Sequence, residues 1–87
     1  MLTYALIVSK RGKRDSIYSR IQEIGQKNVN RLYKVYGEYD LLLGVKVQSE
    51  EKLKELMNGI KGIEGVILLK TFKVLHKTYE HDILPKI

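Results

Sequence analysis

Residues 35–47 read Val-Tyr-Gly-Glu-Tyr-Asp-Leu-Leu-Leu-Gly-Val-Lys-Val. Leu41, Leu43, Val45 and Val47 alternate with other residues, so in an extended chain they share one face. An apolar strand therefore leaves the Gly37-Glu38-Tyr39-Asp40 turn, and a second strand enters it and ends at Tyr36. The turn sets a backbone-permissive glycine beside a phenol and a carboxylate at the edge of an apolar sheet. Such a loop can hold a small polar molecule, or it can be a plain hairpin. Gly-Glu-Tyr-Asp alone does not choose between them.

The rest of the chain falls into place around this hairpin. Residues 2–8 alternate as a strand with Leu2, Tyr4, Leu6 and Val8 on one face and Thr3, Ala5 and Ile7 on the other. A turn centred on Gly12 leads to a helix expected over 14–27, where Ile17, Ile21 and Ile24 recur at helical spacing. Asp15 and Ser16 suit its start and Gly25 weakens its last turn. The strands flanking the hairpin are expected over 29–36 and 39–47. Ser49 is placed to cap a second helix with Glu50 and Glu51 in its first turn, an apolar stripe of Leu53, Leu56, Met57 and Ile60, and a stop at Gly62. A fourth strand is expected over 66–75. Residues 77–87 read as a C-terminal tail after a domain spanning 1–76.

The order β-α-β-β-α-β predicts an α+β, ferredoxin-like domain: a four-stranded antiparallel sheet with two helices on one face. Two helices cover only one face, yet the first and last strands are apolar on both. Leu6 and Val8 oppose Ala5 and Ile7; Val66, Leu68, Phe72 and Val74 oppose Ile67, Leu69 and Leu75. A solvated face would alternate with polar residues. The sequence thus predicts that the open face packs on a second copy, sheet on sheet, in a symmetric homodimer.

Composition limits the function classes. The chain has 87 residues, 44% of them hydrophobic, which supports one small domain. It has no cysteine, so disulfides and thiolate metal sites are excluded, and a reducing compartment fits. No run of about 18 apolar residues spans a membrane, and the N-terminus lacks a signal-peptide pattern, so the expected location is the cytoplasm. Sixteen Lys and Arg against 10 Asp and Glu give a net charge of +6. The densest basic run, Lys10-Arg11-Gly12-Lys13-Arg14, reads as a solvated turn.

With the elements placed, the chain resembles the effector-binding and oligomerisation domain of the Lrp/AsnC family of amino-acid-responsive regulators, the RAM module, over residues 2–76. Four features carry the resemblance. They are Tyr4-Ala5-Leu6-Ile7-Val8 followed by Gly12; Gly37-Glu38-Tyr39-Asp40-Leu41, of the Gly-x-Tyr/Phe-Asp type; Ile63-Glu64-Gly65-Val66; and Lys70-Thr71-Phe72-Lys73-Val74-Leu75. Glu64 stands where the family pattern has proline. Family members begin with a helix-turn-helix domain, whereas this sequence starts at the effector domain. It therefore looks like a stand-alone form from which direct DNA binding is not expected.

The resemblance implies a non-catalytic module that binds a free amino acid where two dimers meet and modulates transcription through oligomer assembly. Matched residue by residue, it implicates Gly37, Tyr39, Asp40, Thr71, Phe72, Lys73 and Val74. Asp40 would pair with the ligand ammonium. Amides of 37–39 and the Thr71 hydroxyl would take its carboxylate, and Leu42, Phe72 and Val74 would line the side-chain pocket. The expected partners are the amino acid, a homodimer and higher oligomer, and full-length regulators of the same family. No cofactor or metal is expected; His76 and His81 alone do not make a metal site. On the residues alone, Asp40 serves equally well as a hairpin residue satisfying turn amides. A small dimeric enzyme would need an acid or base such as Asp40, His76 or His81. An RNA-recognition domain would need aromatics in the third strand, and the run Leu41–Val47 has none.

Overall fold

The structure, a computed structural model, describes residues 2–74. The proposed tail, the expected domain boundary at 76, and His76 and His81 lie outside the described residues. The elements run β1 (Leu2–Ser9), α1 (Arg14–Ile24), β2 (Val29–Lys34), β3 (Leu41–Lys46), α2 (Glu50–Lys61) and β4 (Val66–Lys73). The strands form one antiparallel sheet in the order β2-β3-β1-β4. This is the ferredoxin-like arrangement expected from the element order.

Directly opposed residues of an antiparallel pair point to the same face. Ala5 lies between Leu43 and Thr71, and Ile7 between Leu41 and Leu69. These rows face the helices. Ile17 and Ile21 of α1 and Leu53, Leu56, Met57 and Ile60 of α2 close the core over Ala5, Ile7, Leu41, Leu43, Val45 and Val47. Helix α2 carries the cleaner signals. Ser49 Oγ accepts a hydrogen bond from the Lys52 amide at 3.2 Å. Helix α1 has no side-chain cap; the Ser16 hydroxyl instead donates to the Lys13 carbonyl at 3.0 Å.

Helix α1 stops at Ile24, three residues before the expected end. The amides of Asn28 and Val29 both donate to the Gly25 carbonyl, at 2.9 and 2.8 Å, which folds the chain back into β2. A Cβ at Gly25 would stand 2.3 Å from Val29 Cγ2, so the reversal requires glycine there. Ile24, expected on the apolar stripe, is consequently 36% exposed at the helix end.

Both edge strands carry an extra residue. Val8 opposes Leu68 while the adjacent Ser9 opposes Val66, which leaves Ile67 unpaired and 63% exposed. Strict alternation groups Val66 with Leu68. The bulge instead turns Val66 onto the core, where it packs beside Leu69. Asn30 occupies the same place in β2, between the Val29–Val45 and Arg31–Gly44 pairs.

The opposite sheet face carries Leu2, Tyr4, Leu6 and Val8 along β1, with Leu42 on one flank and Leu68 and Phe72 on the other. The β1 residues and Leu42 are half-buried, while Tyr33, Leu68 and Phe72 are nearly half exposed. No described element covers this face.

Candidate functional site

The β2–β3 connection is shorter in strand and longer in loop than its apolar pattern suggests. The Val35 amide donates to the Asp40 carbonyl at 2.9 Å and closes the hairpin. Gly37 takes the left-handed region at φ 114° on the exposed tip. The Asp40 amide donates to the Ile7 carbonyl at 2.8 Å, and the Asp40 carboxylate reaches across to β1, where Oδ2 accepts from the Ser9 amide at 2.7 Å. Asp40 thus joins the hairpin to the end of β1 through a charge-assisted bond. Oδ1 faces no donor among the described residues. Tyr39 is half-buried beside it, and Tyr36 stands out with the Arg14 guanidinium 5.8 Å from its ring centre.

Asp40 lines an open depression of about 300 Å³ with Ser9, Lys10, Arg11, Arg14 and Asp15. Both signs of charge meet there. The Asp15 carboxyl is held below the usual carboxylate range, first by its hydrogen bond from Lys34 and the charge of that lysine, 2.9 Å away, and further by Arg14. Lys34 also lies 4.9 Å from the centre of the Tyr18 ring. The remaining open carboxylate oxygen of Asp40 and the cations of the β1–α1 loop form a zwitterion's complement in small compass.

The other predicted residues lie elsewhere. Thr71 and Lys73 oppose Ala5 and Thr3 on the helix-covered face, whereas Phe72 opposes Tyr4 on the open face, which the next alternation gives to Val74. Lys73 Nζ is 2.5 Å from Glu50 Oε1, which pins the end of β4 to the start of α2. Thr71 and Lys73 line a groove of about 260 Å³ floored by Leu53, Met57 and Leu69. From Ser9 to Thr3 the strand rises by about 20 Å, and β3 and β4 flank β1 on opposite sides. Gly37, Tyr39 and Asp40 therefore meet at one end of the sheet. Lys73 and Val74 sit at the other, with Thr71 and Phe72 between. One chain does not bring the two sets together.

Two participants escape a reading of the sequence. Ser9 meets Asp40 across 31 residues, and no local pattern announces it. Glu50 reads as a helix-start acid, and only the fold reveals its pairing with Lys73. Among the described residues, no group of three His, Cys, Asp or Glu is placed to hold a metal, and no helix is long and apolar enough to cross a membrane.

Comparison with known proteins accords with this geometry. The chain is 29% identical over 79 residues to the HTH-type transcriptional regulator FL11 of Pyrococcus horikoshii, covering 84% of this chain and 51% of the relative. It thus spans about half the length of the curated relatives it matches. Among solved structures, protein PHS023 of Pyrococcus horikoshii superposes with a TM-score of 0.74 at 25% identity, covering 94% of this chain and all of the other. AsnC of E. coli superposes with a TM-score of 0.79 at 22% identity, over 97% of this chain and 56% of that one. The profile of the Lrp/AsnC ligand binding domain matches residues 4–84, and by that match the chain belongs to the Lrp/AsnC ligand-binding-domain family.

Proposed function

We propose that the protein is a non-catalytic amino-acid sensor whose ligand site is assembled between copies of the chain. The observation that carries this reading is the separation of the implicated residues into a hairpin set at one end of the sheet and a β4 set that runs from its middle to the other end. The hairpin end offers the open oxygen of Asp40 and the basic β1–α1 loop. The β4 end offers the Thr71 hydroxyl over an apolar floor. A second copy that sets its β4 end against the hairpin unites ammonium acceptor, carboxylate donors and apolar wall. The uncovered apolar sheet face supports a homodimer as the building block, and dimers associating end to end complete the site. A solved member of the same fold, the feast or famine regulatory protein from M. tuberculosis, is complexed with L-methionine, which fits an amino-acid ligand.

Ligand binding then acts by favouring one assembly over another, which requires different affinities for the two. Such a module modulates transcription indirectly, through its own oligomer or by joining full-length regulators of its family. The test is calorimetric titration of the twenty amino acids into the protein, with mass followed by light scattering in the same samples. Saturable binding that is lost in Asp40→Ala with the dimer intact supports the sensor. Absence of binding by all twenty, with a stable oligomer, refutes it in favour of a purely structural assembly partner.

A further inference from the structure

A second open basin, of about 790 Å³, lies at the end of the sheet away from the hairpin. Three lysines from separate elements border it: Lys27 in the α1–β2 turn, Lys46 at the end of β3 and Lys52 in the first turn of α2. Their backbone positions are fixed. The Lys46 amide donates to the Asn28 carbonyl at 2.8 Å, which ties the turn to β3, and the Lys52 amide is held by the Ser49 cap. Between them stand the amide side chains of Asn28, Asn30 and Gln48, and no carboxylate lines the basin.

Lys13, Arg14, Arg20, Lys34 and Lys73 each have an acidic partner, whereas Lys27, Lys46 and Lys52, like Lys10, Arg11, Arg31, Lys54, Lys61 and Lys70, have none among the described residues. What distinguishes the basin is that three such lysines border one cavity whose lining holds no carboxylate. Glu50, next to the basin in sequence, is taken up by Lys73, and Glu55 lines the adjoining groove between the helices. Three ammonium groups bordering one cavity with no carboxylate in its lining repel one another and are relieved by an anion of several charges.

We propose that this basin binds a phosphate-bearing anion of nucleotide size, with the three lysines on the phosphates and the amide side chains on the sugar or base. Lysine is a phosphate binder as a point charge, the amides supply both donors and acceptors, and the volume falls within the range of small-ligand sites, roughly 300–1,000 Å³. The three lysines border a single basin of about 790 Å³, which favours a compact free nucleotide over an extended nucleic-acid backbone. The site is separate from the Asp40 depression and independent of the amino-acid reading.

The experiment titrates magnesium-free ATP into the 87-residue protein at low salt, with amide resonances followed by NMR. Residues 27–30, 46–48 and 52 are expected to shift together with one saturation curve. Lys27→Gln, Lys46→Gln and Lys52→Gln are each expected to weaken binding about threefold to fivefold, the scale of one exposed charge pair. Lys10→Gln and Arg11→Gln, exposed basic positions at the other end of the sheet, are expected to leave it unchanged. Absence of shifts, or equal loss in the two control variants, overturns the site in favour of diffuse attraction by net charge. A short DNA duplex that displaces ATP from the same residues at equal phosphate concentration overturns the free nucleotide as the ligand.

Discussion

Replacing Asp40 by alanine separates the architectural part of this carboxylate from any part in binding. Of the three hydrogen bonds made by Asp40, the two backbone bonds to Ile7 and Val35 survive the change, and only the bond from the Ser9 amide is lost. A hydrogen bond to a charged group contributes about 1.5–3 kcal/mol, and the half-buried setting, in which water can reach the freed amide, selects the lower end. A loss of about 1.5 kcal/mol lowers Tm by roughly 6–12 °C in a domain of this size. Asp40→Asn keeps an acceptor at the same place and is expected to lose about half as much. The assay is urea unfolding at one fixed protein concentration, because association of copies would otherwise alter the apparent stability. If Asp40→Ala unfolds within about 0.3 kcal/mol of the parent, inside the usual effect of a neutral surface change, the Ser9 bond does not hold the hairpin. Amino-acid titration under conditions where both variants are folded then tests the other role. Loss of binding in Asp40→Asn identifies the charge itself as the ligand contact.

Four further outcomes are expected. Thr3 is wholly buried and its hydroxyl has no partner among the described residues, so Thr3→Val is expected to raise stability by about 1 kcal/mol in the same urea assay. Gly65 has φ 99° and its missing Cβ would stand 2.7 Å from Lys13 Cβ; Gly65→Ala is expected to cost about 1–3 kcal/mol, and an unchanged midpoint would refute the left-handed turn. Leu42→Glu puts a charge on the open sheet face and is expected to halve the mass seen by light scattering with the circular dichroism spectrum retained, whereas an unchanged mass would remove the sheet-on-sheet dimer. The Asp15 carboxyl is depressed below its ordinary 3.8, chiefly by Lys34, so its contribution to stability is present above that value and fades as pH falls through the folded one. Stability curves of the parent and Asp15→Asn are therefore expected to differ near neutral pH and converge in acid.

The order of elements was legible because it rests on periodicity. The Leu41, Leu43, Val45 and Val47 alternation and the Leu53, Leu56, Met57 and Ile60 stripe are statements about which face of a local structure is apolar, and all eight residues are in the core. The end of α1 at Ile24 has no mark in the sequence, because Gln26 and Lys27 are ordinary helical residues. What ends the helix is the close approach of Val29 to Gly25, a contact made only once the chain has turned. The Gly37–Asp40 motif was legible as a hairpin, but its anchor, the Ser9 amide, was not, since a backbone group has no signature in the sequence.

By itself, the sequence determined the helices, the strands and the surplus of apolar residues on both faces of β1, because these follow from the repeat of side chains along a local backbone. The tertiary structure decided what long-range pairing alone can decide. It inserted Ile67 as a bulge and turned Val66 inward, gave Asp40 and Lys73 their partners, and set those two residues about 20 Å apart along β1. Bulges and cross-strand partners arise from contacts between residues distant in the chain, which the alternation of side chains along one strand does not encode.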